Sequence, residues 1–96
     1  MKIKISKLAK DDFDVALNYY KKQNESLAKR FKIDIKQSIN RINLFPNLYP
    51  KVNDRVQKCV IFKFPFTIFY TVIDDDIIIL AFANHYKNPI SYLKRL

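Results

Sequence analysis

The sequence of 96 residues contains no glycine and only one cysteine, and each shortage excludes a class of protein. Without glycine the chain has neither a dinucleotide fingerprint nor a P-loop, because both motifs need glycine where the backbone approaches a phosphate. A single cysteine, Cys59, cannot form an internal disulfide. Cys59 lies in a run of β-branched and aromatic residues, which predicts a buried, reduced thiol in a cytoplasmic protein.

Histidine, clustered acids and long apolar runs are also scarce. With His85 as the single histidine, sites built from several histidines and two-histidine acid–base mechanisms are excluded. The acidic triplet at 74–76 suits a tight turn better than a metal, because consecutive carboxylates cannot all converge on one ion. No apolar run approaches the roughly 18 residues that a membrane span needs, and the lysine-rich N-terminus does not resemble a signal peptide. We therefore expect no metal, no cofactor and no membrane partner.

Positive charge, in contrast, is abundant. Eighteen lysines and arginines against nine acids give a formal net charge of +9. This exceeds the magnitude of roughly 2 to 8 that solubility asks of a small domain. Such a field attracts nucleic acids or acidic proteins, so a polyanionic partner is expected.

The apolar pattern of the first half predicts a strand followed by two helices. Lysine and isoleucine alternate over residues 2–5, as in a half-buried strand. Ser6 is a predicted helix N-cap, and Asp11 and Asp12 are expected near the helix start, where carboxylates favour the helix dipole. Asn24 is expected to separate the two helices, and Pro46 to follow the second. The predicted apolar stripes are Ala9, Phe13, Ala16, Leu17 and Tyr20, then Leu27, Phe31, Ile35, Ile39 and Ile42.

The second half predicts a three-stranded antiparallel meander. Strands are expected at 55–63, 67–73 and 77–83, separated by Pro65 and by the acidic triplet. The N-terminal strand must rejoin this meander, because a lone strand leaves its backbone groups unsatisfied. Together these elements predict a single α+β domain over residues 1–96, with a mostly antiparallel sheet and a helical hairpin on one face. Residues 89–96 are expected to form a short helix or a tail.

The residues that could carry chemistry are basic and aromatic. They lie beside the first meander strand and after the last one. Lysine and arginine can stabilise a scissile phosphate, histidine or tyrosine can move protons, and aromatic rings can stack on unpaired bases. The mixture suits metal-independent cleavage of RNA, although it is also found on ordinary basic surfaces. The residues are Lys51, Arg55, Lys58 and Lys63, then Asn84, His85, Tyr86, Lys87, Tyr92 and Arg95.

The string VQKCVIFKFPFTIFYTVIDDDIIILAFANH closely resembles the meander of RelE/ParE superfamily toxins. The similarity extends to Ala9 and Asp12, Tyr19 and Tyr20, Ala28 and Phe31, Pro46, Asn88 and Pro89, Tyr92 and Arg95. The resemblance implies the toxin of a type II toxin–antitoxin module of the plasmid-stabilisation type. Such toxins are neutralised by an antitoxin protein, and they either cleave mRNA on the ribosome or poison DNA gyrase.

The resemblance also implies roles for individual residues. In a nuclease, Lys58, Lys87 and Arg95 would stabilise phosphate charge, and His85 or Tyr86 would be the acid–base group. Lys51, Arg55, Lys63 and Tyr92 would contact the nucleic acid or other target. Isolated toxins of this shape expose an apolar groove beside the hairpin, and the predicted antitoxin-binding residues are Leu48, Tyr49, Leu93 and Leu96.

Two departures from the family pattern affect the choice between mechanisms. Many relatives have arginine where Gln57 stands, and many have histidine and arginine where Asn84 and Lys87 stand. Lysine keeps the charge of arginine but cannot form the planar, bidentate hydrogen bonds that arginine makes to phosphate, which weakens the nuclease hypothesis. The pair His85 and Tyr86 and the excess charge favour RNA, whereas the long hairpin favours the gyrase branch. An alternative is a catalytically silent relative that serves as a binding or co-repressor subunit.

Overall fold

The predicted order of elements is confirmed in a computed structural model, which describes residues 2–87, 92 and 94–96. The chain forms β1 (Ile3–Ile5), α1 (Lys7–Gln23), α2 (Glu25–Leu44), β2 (Val56–Ile61), β3 (Phe66–Ile73) and β4 (Asp76–Asn84). Half of the residues of the predicted helix or tail at 89–96 lie outside this set. Over the same residues, no helix has the length and apolar content that would let it cross a membrane.

Two polar side chains set the boundaries of the helical hairpin. Ser6 Oγ accepts a hydrogen bond from the Ala9 N–H at 3.1 Å, which confirms it as the N-cap of α1. Asn24 ends α1 and begins α2, because its backbone is extended and its Oδ1 accepts the Ser26 N–H at 2.8 Å. One extended residue is thus enough to reverse the chain between the two helices.

The expectation that Asp11 and Asp12 favour the helix dipole is wrong. Helix α1 begins at Lys7 and has no acidic residue in its first turn. The dipole effect falls off within that turn, so carboxylates further along gain little from it. Asp12 has a different role, which involves β4 and the C-terminal segment.

The four strands form one mixed sheet in the order β1-β4-β3-β2. Strand β3 is antiparallel to β2 and β4, and β1 pairs with β4 in parallel from Ile3 opposite Ile77 to Ile5 opposite Ile79. The N-terminal strand therefore rejoins the meander, as predicted. The sheet is mostly antiparallel and the fold is α+β.

The core lies between the two helices and one face of the sheet. Phe31 of α2 packs edge-on against Phe64 and at a tilt against Phe66, with ring centroids 5.3 Å apart in both pairs. Cys59 is only 2% exposed, and burial raises the pKa of its thiol. The prediction that the Cys59 thiol is buried is therefore confirmed. The largest side chains that are almost fully buried include Tyr70, Phe31, Phe82, Ile42 and Ile68.

Strand β4 is longer than its partner β1, so part of its edge needs other hydrogen-bond partners. Residues 80–84 of β4 extend beyond the three residues of β1. Side chains from α1 and from the C-terminal segment provide the missing groups. Leu80 C=O accepts from Ser6 Oγ at 3.4 Å, Phe82 N–H donates to Asp12 Oδ2 at 3.1 Å, and Asn84 N–H donates to the Tyr92 hydroxyl at 3.3 Å.

Candidate functional site

The face of the sheet opposite the helices, here called the far face, carries several of the predicted basic and aromatic site residues. Side chains alternate between the two faces of a strand, so the strand residues between core positions point to the far face. Lys58 pairs across from Phe69, and Thr67 pairs across from Ala83. At the end of β4 the far face has a shallow cavity of about 170 Å³, which Lys58 does not line. Its lining consists of Thr67, Phe69, Ala83, Asn84, His85, Lys87 and Tyr92.

A tight turn after β4 separates His85 from Tyr86. Asn84 builds this turn, since its Oδ1 accepts the Tyr86 N–H at 2.9 Å and its carbonyl accepts the Lys87 N–H at 3.1 Å. His85 lies at the cavity, where its Nε2 is 2.8 Å from the Thr67 hydroxyl. Tyr86 is 86% exposed and lines a different groove, with Val15 of α1 among its neighbours. The two predicted acid–base candidates therefore line different grooves, which share Asn84, Lys87 and Tyr92.

Arg95, a predicted phosphate-binding cation, is held by a carboxylate within the chain. Its two terminal nitrogens lie 2.6 and 3.1 Å from the oxygens of Asp12. This hydrogen-bonded pair raises the pKa of Arg95 above its ordinary value. The guanidinium carbon also lies 5.1 Å from the centre of the Tyr92 ring, a cation–π distance. Arg95 thus anchors the segment that carries Tyr92 to α1.

The other predicted target-binding cations are spread along β2. Lys51 forms a bridge with Gln57 beside the strand, and Arg55 is exposed just before it. Lys63 follows the strand and lines a groove on the helix side together with Asp34. The structure brings Lys58, His85, Lys87 and Tyr92 to the far face. Lys51 and Arg55 lie at the opposite end of β2 from Lys63, and none of the three lines the far-face cavity.

Both departures from the family pattern have structural roles in this chain. Gln57 is 5% exposed and points to the helix side, where its Nε2 donates to Pro46 O at 2.6 Å and to Tyr49 O at 3.0 Å. It therefore ties the loop after α2 to the sheet. Asn84 shapes the turn that places His85 and Lys87.

Sequence reasoning missed three residues that organise this site. Thr67 and Phe69 line the cavity, and the alternation in TIFYT could have placed both on the face opposite Ile68 and Tyr70. Asp12 was noticed only as an early acid in a helix. Nothing local identifies its partner, because Arg95 is 83 positions away in the chain.

Three of the four predicted antitoxin-binding residues lie in the described part of the chain. Leu48 is exposed, and Tyr49 packs edge-on against Tyr70 with ring centroids 6.4 Å apart. The carbonyl oxygen of Leu96 lies 3.5 Å from Asn53 Nδ2, whereas Leu93 is outside the described residues.

An apolar groove of about 380 Å³ does lie beside the helical hairpin, and we call it the hairpin groove. Its floor is apolar and its rim carries three lysines. Neither Leu48, Tyr49 nor Leu96 lines it. The lining residues are Ile5, Phe13, Ile35, Ile39 and Phe82, with Lys10, Asp14, Lys32, Lys36 and Asn40.

Chemically, the far-face cavity is suited to bind an anionic or aromatic group. Lys87 provides a cation, His85 has one ring nitrogen that is not bonded to Thr67, and Phe69 and Tyr92 provide apolar ring surface. Within residues 2–87, 92 and 94–96, no three histidine, cysteine or acidic residues come together to form a possible metal site.

A helical hairpin on one face of a four-stranded mixed sheet, with a basic and aromatic opposite face, is the architecture expected of a RelE/ParE-type toxin. Residues 3–89 match the family described as the ParE toxin of the type II toxin–antitoxin system, parDE, and the chain belongs to that family. The fold is similar to a solved chain of the chromosomal ParDE TA system from P. aeruginosa, with a TM-score of 0.69. The two chains are 19% identical, over 88% of this chain and 95% of the other. A comparison with curated proteins finds no significant match.

Proposed function

We propose that this chain is the toxin of a type II toxin–antitoxin pair and that it acts on DNA gyrase by binding. The observation that carries the choice is the dispersal of the predicted catalytic residues. Arg95 is held by both carboxylate oxygens of Asp12, and Tyr86 lines a groove on the α1 side whose lining does not include His85. Catalysis of phosphodiester cleavage needs an acid, a base and cations held around one scissile group. The membership of the ParE family supports the same branch.

The far face is the surface we propose for the target. Lys58 and Lys87 project positive charge there, and the net charge of +9 would steer an acidic protein surface or a protein–DNA complex toward it. Phe69, which is only partly buried, adds apolar contact area beside these charges. Aromatic and basic residues are enriched among those that contribute most to binding at interfaces.

The test is a supercoiling assay with purified gyrase. We expect the protein to inhibit supercoiling, and the double variant Lys58→Ala, Lys87→Ala to need at least about tenfold more protein for the same inhibition, a loss of about 1.4 kcal/mol. The matched control is Lys21→Ala, Lys22→Ala, which removes two charges from the last turn of α1. Supercoiling that is unaffected by a large excess of the protein contradicts the proposal.

A second assay tests the alternative mechanism, in which the protein cleaves mRNA during translation. In an in vitro translation reaction followed by primer extension on the message, we expect undiminished synthesis and uncut mRNA. Cleavage at defined codons that is lost in His85→Ala would instead assign the protein to the mRNA-cleaving branch.

We also propose that an antitoxin neutralises the toxin by laying an acidic amphipathic helix in the hairpin groove. An apolar floor with Lys10, Lys32 and Lys36 at its rim complements a helix with one apolar and one acidic face. The candidate antitoxin is the protein encoded by the adjacent reading frame. We expect Lys32→Glu, Lys36→Glu to weaken its binding at least about tenfold, whereas Lys21→Glu, Lys22→Glu leaves most of the affinity. If Leu48→Ala and Tyr49→Ala weaken binding instead, the loop after α2 is the antitoxin site.

The silent-relative alternative predicts that expression without any antitoxin is harmless to cells. Gln57 and Asn84 motivated this alternative, but both have the structural roles given above. We therefore expect growth inhibition on expression, relieved by coexpression of the adjacent frame. Normal growth with soluble, folded protein would favour the silent relative.

A further inference from the structure

The outer edge of β2 is only partly covered. The loop before β2 pairs with its first half, since Lys58 N–H donates to Pro50 O at 2.9 Å, away from β3. In an antiparallel pair, alternate residues point their backbone groups to the same side. Val60 therefore also directs its N–H and C=O away from β3, and no backbone partner for its N–H is found in the described part of the chain. Strand β2 is the last in the sheet, so this edge is free to accept another strand.

A groove between α2 and this end of the sheet contains a carboxylate oxygen without a hydrogen bond. Asp34 Oδ2 is buried and has no partner among the described residues. A buried acceptor without a hydrogen bond destabilises the protein, so a donor from outside the chain would be strongly favoured there. The groove holds about 500 Å³. Its lining is Leu27, Arg30, Ile33, Asp34, Gln37, Lys63 and Phe64.

Large apolar side chains are exposed on both sides of the same edge. Phe62 is 94% exposed, the highest value for a large apolar residue in the described part, and Val60 beside it is 37% exposed. Ile33 of α2 is 52% exposed on the groove side. Neighbouring exposed apolar residues rimmed by charge mark an interaction surface.

From this combination we infer that the β2 edge is a docking site for an extended segment of a partner protein, which adds to the sheet as a further strand. Apolar side chains on one face of that segment pack against Val60 and Phe62. On its other face, a side chain with a hydrogen-bond donor reaches Asp34. Acidic residues that flank this donor complement Arg30, Arg41 and Lys63.

The charges argue against the other occupants. A second copy of this chain would bring the same excess of lysine and arginine to a basic rim. A nucleic acid would place phosphates near the buried carboxylate of Asp34 and would offer no strand to pair with Val60. The inference does not depend on gyrase being the target, because neither Asp34 nor the exposed apolar residues Val60 and Phe62 line the far-face cavity or the hairpin groove.

The experiment uses a synthetic probe whose chemistry matches the edge. It is a capped nine-residue peptide in which valines alternate with polar residues, with a glutamate at each end, arginine at the centre and threonines between. The matched control peptide has proline in place of two valines, which prevents strand pairing. In amide NMR spectra of the whole protein, we expect the first peptide to shift the resonances of β2 and to slow hydrogen exchange of the Val60 amide at least about tenfold.

Variants at the edge separate the contributions. Val60→Pro removes the outward N–H and should abolish peptide binding. Val60→Thr keeps this N–H and should preserve binding. Because Phe62 is almost fully exposed, Phe62→Ser should preserve the fold and weaken binding about tenfold, which covers the case in which Val60→Pro does not fold. Asp34→Asn should weaken binding of the arginine peptide more than it weakens binding of a peptide with threonine at its centre. No binding at about 1 mM peptide, equal binding of the proline peptide, or shifts away from β2 would overturn the inference.

Discussion

At the residue scale, Asp12 connects three parts of the molecule. Its side chain is 12% exposed. The carboxylate accepts a hydrogen bond from the Phe82 N–H and forms a bidentate ion pair with Arg95. The carboxylate thus completes the edge of β4 and fixes the segment that carries Tyr92 over the far face. A residue in the second turn of a helix therefore positions part of the candidate site.

We predict that Asp12→Ala lowers the free energy of unfolding by about 2–4 kcal/mol. The substitution leaves a partly buried guanidinium and a strand N–H without their acceptor. Urea unfolding followed by circular dichroism measures the change. Asp11→Ala, at an exposed neighbouring position, should stay within about 0.5 kcal/mol of the wild type. An equal effect of the two substitutions would contradict this role.

Tyr70 gives the protein an expected loss of stability at alkaline pH. Burial, with smaller effects of Cys59 and Tyr49, raises the pKa of Tyr70 to about 12, and its hydroxyl donates to Pro46 O at 2.6 Å. A raised pKa means that the folded state holds the proton more tightly than the unfolded state. The resulting stability is present below the ordinary tyrosine pKa of about 10 and is lost as the pH rises from there to about 12.

We therefore predict that the urea midpoint falls steeply between about pH 10 and 12. In Tyr70→Phe, the loss of free energy of unfolding over this pH range should be smaller by about 2 kcal/mol. Burial also raises the pKa of Tyr20, so part of the decline should persist in this variant. A Tyr70→Phe profile that parallels the wild type would refute the assignment.

At the element scale, the acidic turn between β3 and β4 shows how the chain manages without glycine. Ile73 pairs with Asp76, so Asp74 and Asp75 form a two-residue connection. Asp74 has a φ of 53°, the only positive value in the described part of the chain. Aspartate tolerates this left-handed conformation better than most residues, as expected from the sequence.

We predict that Asp74→Gly raises the free energy of unfolding by about 0.5–1 kcal/mol, because glycine adopts positive φ without a Cβ clash. Asp75→Gly should give no gain, since the φ of Asp75 is not positive. Thermal unfolding of both variants at neutral pH measures the difference. Equal shifts in the two melting temperatures would show that backbone strain at Asp74 is not the cause.

At the scale of the whole molecule, one cluster of buried residues joins both helices to the sheet. Ala16 and Tyr20 of α1 and Phe31 and Ile35 of α2 belong to the same cluster as Ile68 of β3. An element that left this cluster would expose apolar surface on its neighbours as well, so unfolding of separate parts is disfavoured.

We predict that residues 1–96 unfold as a single domain in one cooperative transition, with a urea m-value of about 1 kcal/mol/M. Circular dichroism should report the backbone. Tyrosine fluorescence should report the core, because the chain has six tyrosines and no tryptophan. Coincident curves are the expected result, and two separated midpoints would indicate more than one folding unit.

Most of the fold was determined by local patterns in the sequence. The alternation at 2–5, the helical stripes, the caps Ser6 and Asn24 and the acidic turn each act over a few residues. Because secondary structure and tight turns depend on such short-range geometry, these features could be predicted from the residues alone. The family resemblance rested on the same local strings and was confirmed over residues 3–89.

The candidate site was decided by tertiary structure. It depends on which residues a strand sends to each face, on a turn that divides His85 from Tyr86, and on an ion pair between residues 83 positions apart. The sequence contained Lys58, His85, Tyr86, Lys87 and Arg95 but could not show that Asp12 holds the last of them. The pairing of distant side chains depends on how the elements pack, and no local pattern of residues encodes it.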